Sequence, residues 1–323
     1  MQLAGAYCAP AWLPGGHAQT IWPTFLRKAP VRLRRETVDT GDGDIWNFDW
    51  LDAPADLDAP LVVLFHGLEG GSDSHYARAL FTMLAQRRWR GVVPHFRGCP
   101  ETPNRLPRAY HSGDHDEIAA MLAAIRRRSD AVTLHACGVS LGASALLNWL
   151  GRAGSDAANI VAGAAAVSAP LDLMAAGLAI DRGMNRVYAR HFLSTLKPKA
   201  LEMAARFPGL LDTDRVQRAT SMWQFDDVVT AKLAGFSGTD DYWTRGSSKP
   251  WLHSIAIPTL VLNARNDPFV PASSLPLADE VAPSVTLEQP DAGGHAGFPT
   301  GAPPGRVDWL PRRLIAFFAG AVT

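Results

Sequence analysis

Gly138-Val139-Ser140-Leu141-Gly142 sets a serine between two glycines at a spacing that suits a sharp backbone turn. Residues 132–136 ahead of it read as an apolar strand, and residues 140–150 after it as a helix. A strand-to-helix turn of this kind presents the serine hydroxyl at the carboxyl end of a sheet. The small neighbours let the backbone accept the bend. The helix that follows directs the positive end of its dipole toward any anion forming there. The chemistry predicted is nucleophilic attack by Ser140 Oγ.

A serine hydroxyl is a weak nucleophile unless a neighbouring base takes its proton. Of the ten histidines, His295 is the predicted base, because Gly293-Gly294-His295-Ala296-Gly297-Phe298 is a glycine-rich loop able to bring an imidazole to the serine. His66 is expected to order the loop it precedes, and His135, inside a strand, to be a satisfied core residue. His75, His191 and His253 are expected to serve packing or the surface. A carboxylate must then fix the imidazole tautomer and stabilise the imidazolium. Asp267, in a proline-rich turn after a strand, is preferred over Asp172 and Asp291. Acyl transfer also needs backbone donors for the oxyanion. The Leu141 amide is one candidate, and Leu68 in His66-Gly67-Leu68-Glu69 is preferred over Glu69 for the other.

Two other chemistries are weighed and set aside. The glycines after residue 65 lack the Gly-Lys-Ser/Thr ending of a phosphate loop. His111-Ser112-Gly113-Asp114-His115-Asp116-Glu117 groups histidines with carboxylates but lacks His-Glu-x-x-His spacing, and Asp114 with Glu117 reads as a helix-capping pair. No metal and no cofactor are expected.

These residues require a scaffold, and the chain predicts one. Residues 31–38 and 44–51 flank Thr40-Gly41-Asp42-Gly43, a hairpin signal. Strands are predicted at 61–65, 91–96, 132–136, 160–167, 259–263 and 284–288, with helices at 74–86, 114–128, 140–150 and 306–319 between or after them. Strand–helix alternation of this kind builds a doubly wound, mostly parallel sheet. Residues 170–257 interrupt it with amphipathic segments broken by Pro198, Pro208 and Gly235, read as a helical cap inserted in a single domain spanning 1–323. Among the aromatics of this insertion, Tyr188, Phe192, Trp223, Phe225, Phe236, Tyr242, Trp243 and Trp251, most are expected to pack and a few to line an apolar pocket.

Composition narrows the function classes. Lys plus Arg equal Asp plus Glu at 31 each, which removes the basic footprint of a nucleic-acid binder. Cys8, Cys99 and Cys137 lie far apart, so a disulfide framework is not expected. No secretory leader and no run of about 18 apolar residues is evident, and a soluble, cytoplasmic protein is expected.

With these residues in place, the chain resembles the YheT-like family of α/β-hydrolases along nearly its whole length. The resemblance is carried by Gly16-His17-Ala18-Gln19-Thr20-Ile21-Trp22-Pro23, His66-Gly67-Leu68-Glu69-Gly70, Phe96-Arg97-Gly98-Cys99, Asn104-Arg105 and Tyr110-His111-Ser112-Gly113. It continues through the turn at Ser140, Phe225-Asp226-Asp227, Asn266-Asp267-Pro268-Phe269 and Gly294-His295. It implies the α/β-hydrolase fold and hydrolysis of carboxylic esters, with Ser140, Asp267 and His295 as the triad. His95 stands where the family pattern has Asn, and Pro100-Glu101-Thr102 replaces Ser-Gly-Glu. The expectation is a serine esterase acting on small-molecule esters with apolar, short- to medium-chain acyl groups. An acyltransferase using the same triad and a non-catalytic binding protein on this fold are the alternatives.

Overall fold

Residues 5–26, 30–99 and 103–320 are described by a computed structural model. A helix not foreseen in the sequence, α1 (Gly16–Phe25), comes first. The predicted hairpin follows as β1 (Leu33–Asp39) and β2 (Ile45–Leu51), antiparallel, with Asp39 opposite Ile45. The alternation then runs β3 (Leu61–Phe65), α2 (His75–Gln86), β4 (Arg90–His95), α3 (His115–Arg128), β5 (Leu134–Val139), α4 (Leu141–Ala153) and β6 (Gly163–Val167). After an insertion it resumes with β7 (Thr259–Leu262) and β8 (Val285–Glu288), and Trp309–Gly320 form the last helix.

The eight strands form one sheet in the order β1-β2-β4-β3-β5-β6-β7-β8. From β4 to β8 in that order all strands run parallel, and β2 alone runs against the rest, antiparallel to both β1 and β4. This is the expected α/β-hydrolase sheet. Every residue of β3, β5 and β6 is buried, as strands covered on both faces require. One face packs against α3 and α4 through Ile118, Met121, Leu146 and Leu150. The other packs against α2 and the last helix through Leu80, Phe81, Leu314 and Phe318. α4 is buried from Leu141 to Gly151, and each of its leucines contributes roughly 2 kcal/mol by leaving water. The helix that follows Ser140 is therefore firmly seated.

Two local expectations are corrected. Asp114 does sit at the start of α3, but no capping box forms. Glu117 turns inward instead, accepting from Trp46 Nε1 at 2.6 Å and Arg97 Nε at 2.8 Å, while Asp114 accepts from Arg108. A buried ion pair has outcompeted the local turn. His135 is a core residue stacked on Phe318 at 4.7 Å, yet neither ring nitrogen has a hydrogen-bond partner among the described residues. Burial lowers its pKa to about 4, so it stays neutral.

The insertion between β6 and β7 is helical throughout: α5 (Leu173–Ile180), α6 (Arg186–Arg206), α7 (Thr213–Arg218), α8 (Met222–Phe225), α9 (Ala231–Ala234) and α10 (Thr239–Gly246). Pro198 does not break it, contrary to expectation; α6 runs through Pro198 for 21 residues. One missing backbone bond is outweighed because Leu193, Ala200 and Ala204 bury on either side of it. Gly235 does end α9, in the left-handed conformation with φ 76°.

Candidate active site

Ser140 occupies the single residue between β5 and α4, at φ 56° and ψ −121°. For a serine this conformation costs roughly 1–3 kcal/mol and persists only because its surroundings impose it. The flanking glycines show how. A β-carbon at Gly138 would come within 2.6 Å of the Ala143 backbone, and one at Gly142 within 2.5 Å of the His66 carbonyl oxygen. Sheet and helix meet too closely for any side chain there. The Ser140 N–H donates to the Val167 carbonyl at 2.9 Å, tying the turn to β6.

His295 and Asp267 arrive on loops beyond β8 and β7. Their side chains pair directly, Nδ1–H of the imidazole donating to Asp267 Oδ2 at 2.8 Å. Asp267 is fully buried and its other oxygen accepts from the Phe269 N–H at 2.8 Å, so the carboxylate has one available orientation. The two rival aspartates are elsewhere engaged. Asp172 caps α5 by accepting from the Ala175 N–H, and Asp291 lies exposed near Arg265. Ser140 and His295 line the same two cavities, and no hydrogen bond joins them. Such contacts commonly shorten only once a substrate is bound.

The loop after β3 lies against the serine: a β-carbon at Gly67 would stand 3.1 Å from Ser140 Cβ. His66 orders this loop as expected, with Nδ1–H donating to the Gly67 carbonyl at 2.8 Å and Nε2 accepting from the Phe96 N–H at 3.2 Å. Burial, reinforced by nearby His95, lowers the His66 pKa to about 3, which keeps that tautomer neutral. The Glu69 amide is committed to Tyr110 Oη at 2.9 Å, whereas neither the Leu68 nor the Leu141 amide has an acceptor among the described residues. Of the two loop amides weighed, only Leu68 is free. His95, the departure from the family pattern, is absorbed locally: it contacts Asp49 Oδ2 at 2.8 Å within a cluster completed by Arg35 and Ser72. The other departure, Pro100-Glu101-Thr102, lies outside the described residues.

Several positioning residues were not evident in the sequence. Gln19 on α1 is buried; its Oε1 accepts from Asn266 Nδ2 at 3.0 Å and from the Gly293 N–H at 2.8 Å. Asn266 closes the square by accepting from the Gly294 N–H. Thr20 Oγ1 accepts from the His295 N–H at 2.9 Å, and Ser168 Oγ from the Ala296 N–H at 2.9 Å. His75, expected at the surface or in packing, contacts the Ala296 carbonyl oxygen through Nε2. α1 thus clamps the Asp267 loop to the His295 loop. The approach is so close that a β-carbon at Gly16 would overlap the Asn266 carbonyl, and one at Gly297 the Gln19 carbonyl. The only signal available in the sequence was the resemblance at Gly16-His17-Ala18-Gln19-Thr20, which names no partner.

The inserted helices roof a cavity of about 260 Å³ that reaches Ser140. Its walls include Leu173, Ile180, Leu196, Met222 and Val229, with four of the eight aromatics singled out in the sequence: Phe192, Phe225, Tyr242 and Trp243. A second cavity, about 310 Å³, also reaches Ser140 and His295 and is lined by Thr20, Thr24, Ser74, His75 and His191. Asp226 forms part of the first cavity's wall, accepting from Thr230 Oγ1 at 2.7 Å and Trp243 Nε1 at 2.9 Å. Burial nevertheless raises its pKa to about 6. Between roughly pH 4 and pH 6 the folded chain therefore holds a proton that the unfolded chain releases, so stability falls as pH rises through this window. Asp226→Asn keeps both hydrogen bonds, since Thr230 can accept, and should raise stability at pH 8 by about 3 kcal/mol. The gain should shrink to about 0.5 kcal/mol by pH 4, where the unfolded carboxyl is also taking up its proton. Urea unfolding at the two pH values checks this, and an equal gain at both would contradict it.

Among the described residues no group of three or more His, Cys, Asp or Glu is arranged to hold a metal ion. No described helix is long and apolar enough to cross a membrane.

Residues 60–302 match the model of the α/β-hydrolase fold family. YheT of Escherichia coli (strain K12), which carries the label esterase only provisionally, is 35% identical over 92% of this chain and 88% of its own length. The chain belongs to the YheT-like family of α/β-hydrolases. Phospholipase ABHD3 of Homo sapiens, a more distant relative, is 29% identical over 98% of this chain and 79% of its own. In three dimensions the esterase Pf2001 of Pyrococcus furiosus superposes with a TM-score of 0.56 at 15% identity, covering 90% of this chain and 92% of that one. At that identity the likeness concerns the fold alone.

Proposed function

We propose that this chain is a serine hydrolase of carboxylic esters with apolar, short- to medium-chain acyl groups. The observation that carries the reading is the buried Asp267–His295 pair facing the cavities that also expose Ser140 on its strained turn. Ser140 Oγ attacks the ester carbonyl as His295 Nε2 takes its proton, and Asp267 holds the opposite ring nitrogen protonated. The tetrahedral oxyanion accepts from the Leu68 and Leu141 amides. Each donor is worth roughly 3 kcal/mol of barrier because it is already oriented. The alcohol leaves with a proton from His295, and water enters by the same base to release the acid. No metal or cofactor enters this scheme.

Residues 170–257 act as the cap in this reading. The larger apolar wall of the first cavity takes the acyl chain, and the second, richer in hydroxyl and imidazole groups, takes the alcohol side. The esterase and phospholipase names borne by the relatives agree with it. Unpaired, buried Cys99 and Cys137 suit the cytoplasm. Fluorophosphonate labelling tests the reading: modification should map to Ser140 and disappear in Ser140→Ala, and labelling at another residue would refute it.

The clamp on His295 adds an expectation. Thr20→Val removes the acceptor for the His295 N–H without changing side-chain volume, and kcat should fall about tenfold to a hundredfold, as for misplacements of this size. KM should change less than twofold. Thr20→Ser should restore the rate, which a loss of packing alone would not allow.

A further inference from the structure

We infer that the face formed by α1 and the start of α6 docks on an anionic lipid surface. Most large apolar side chains of the chain are buried, yet Phe25 is 76% exposed, Met184 74% and Val187 62%, with Ile21 and Trp22 also exposed. These five come from two segments that touch. His17 Nδ1 meets Tyr188 Oη at 3.0 Å and the two rings stack. Ile21 and Phe25 follow His17 at intervals of four along α1, so they continue the same helical stripe past this contact. Met184 and Val187 stand four and one residues before Tyr188.

Charge distinguishes this face from an ordinary protein interface. Residues 182–201 contain no Asp or Glu, in a chain whose charges balance overall. Lys199 pairs with Glu69 and Lys197 donates to the Gln217 and Ala219 carbonyls, which leaves Arg182, Arg186 and Arg190 for the face. Residues 5–26 contain no acidic residue either. Arg182, Arg186 and Arg190 are exposed and have no ion-pair partner among the described residues. Apolar tips beside unpaired arginines match the layered chemistry of a membrane surface, anionic headgroups over hydrocarbon. Position points the same way. The second cavity is lined by Thr20 and Thr24 on α1 and by His191 and Phe192 on α6, next to the exposed apolar residues of these segments. A protein seated there would close that cavity, whereas a lipid surface would supply apolar esters to it. This purpose rests on the esterase reading; the docking itself does not.

Co-sedimentation of the full chain with vesicles of phosphatidylcholine alone, or of phosphatidylcholine with one third phosphatidylglycerol, tests the inference. Binding should favour the anionic vesicles and weaken as salt rises. The triple variant Arg182→Glu, Arg186→Glu, Arg190→Glu should bind about a hundredfold more weakly. Phe25→Ser with Met184→Ser should also lower binding, and both variants should hydrolyse a water-soluble ester at the parental rate. Equal retention by the two vesicle types, or binding unaffected by either variant, overturns the inference. So does sedimentation equilibrium showing a dimer that these substitutions dissociate, since a second copy would then cover the face. Ser140→Ala should bind vesicles like the parent. If soluble-ester hydrolysis is absent while vesicle binding persists, the esterase reading fails and the docking surface stands.

Discussion

Ser140→Ala is expected to lower kcat/KM toward a p-nitrophenyl ester by about 10⁴- to 10⁶-fold, the largest effect of any single substitution in this chain. Without Oγ the proposed acyl-enzyme cannot form. The residual rate expected is what the two proposed oxyanion amides and binding can do with water as nucleophile. The turn should survive, because its causes lie outside the serine side chain. Gly138 and Gly142 still permit the close approach of β5 and α4, and the residue 140 N–H still reaches the Val167 carbonyl. Thermal unfolding close to that of the parent should accompany the loss of activity. A well-folded variant losing less than about a hundredfold would move the nucleophile elsewhere.

Asp267→Asn should be the next largest, lowering kcat by about 10⁴-fold. The carboxylate accepts from His295 Nδ1 at 2.8 Å, which leaves Nε2 unprotonated and able to take the serine proton. An amide NH₂ in that place would donate to Nδ1 and drive the proton to Nε2, the wrong side of the ring. The Phe269 N–H can still find the amide oxygen, so the loop should hold its shape and KM should change little. Asp172→Asn and Asp291→Asn are the controls, since one carboxylate caps α5 and the other lies exposed near Arg265. Each should stay within about twofold of the parent in kcat. Steady-state kinetics of the three variants on one ester decides between them.

What could be read in advance follows from the range of the interactions involved. The turn at Ser140 is a local matter of two glycines between a strand and a helix, and local pattern suffices for it. The fully apolar stretch at 61–65 likewise announces a strand covered on both faces. Asp267 and His295 are legible because each sits at a strand end in a short, conformationally restricted loop. Local rules fail where distant groups compete for the same atoms. Glu117 is a plausible capping partner until Trp46 and Arg97, brought up by another strand and loop, claim its carboxylate. Pro198 is a helix breaker until Leu193 and Ala204 bury on one side of α6. Gln19 carries no local signal, because its partners Asn266 and Gly293 lie 247 and 274 residues away.

That separation has a consequence for synthesis. The serine turn and the first six strands can form once residues up to about 170 have emerged, but the imidazole is held by atoms from both halves of the sequence. Contacts spanning this much chain close late, after nearer ones have formed. In the proposed mechanism a nascent chain would therefore carry a folded but inert serine, and reactivity would switch on in the one step that seats α1 against the loops at 266 and 293–297. On that mechanism completion of folding and the onset of catalysis would be the same event, and a partly made copy would have little means of attacking the esters around it.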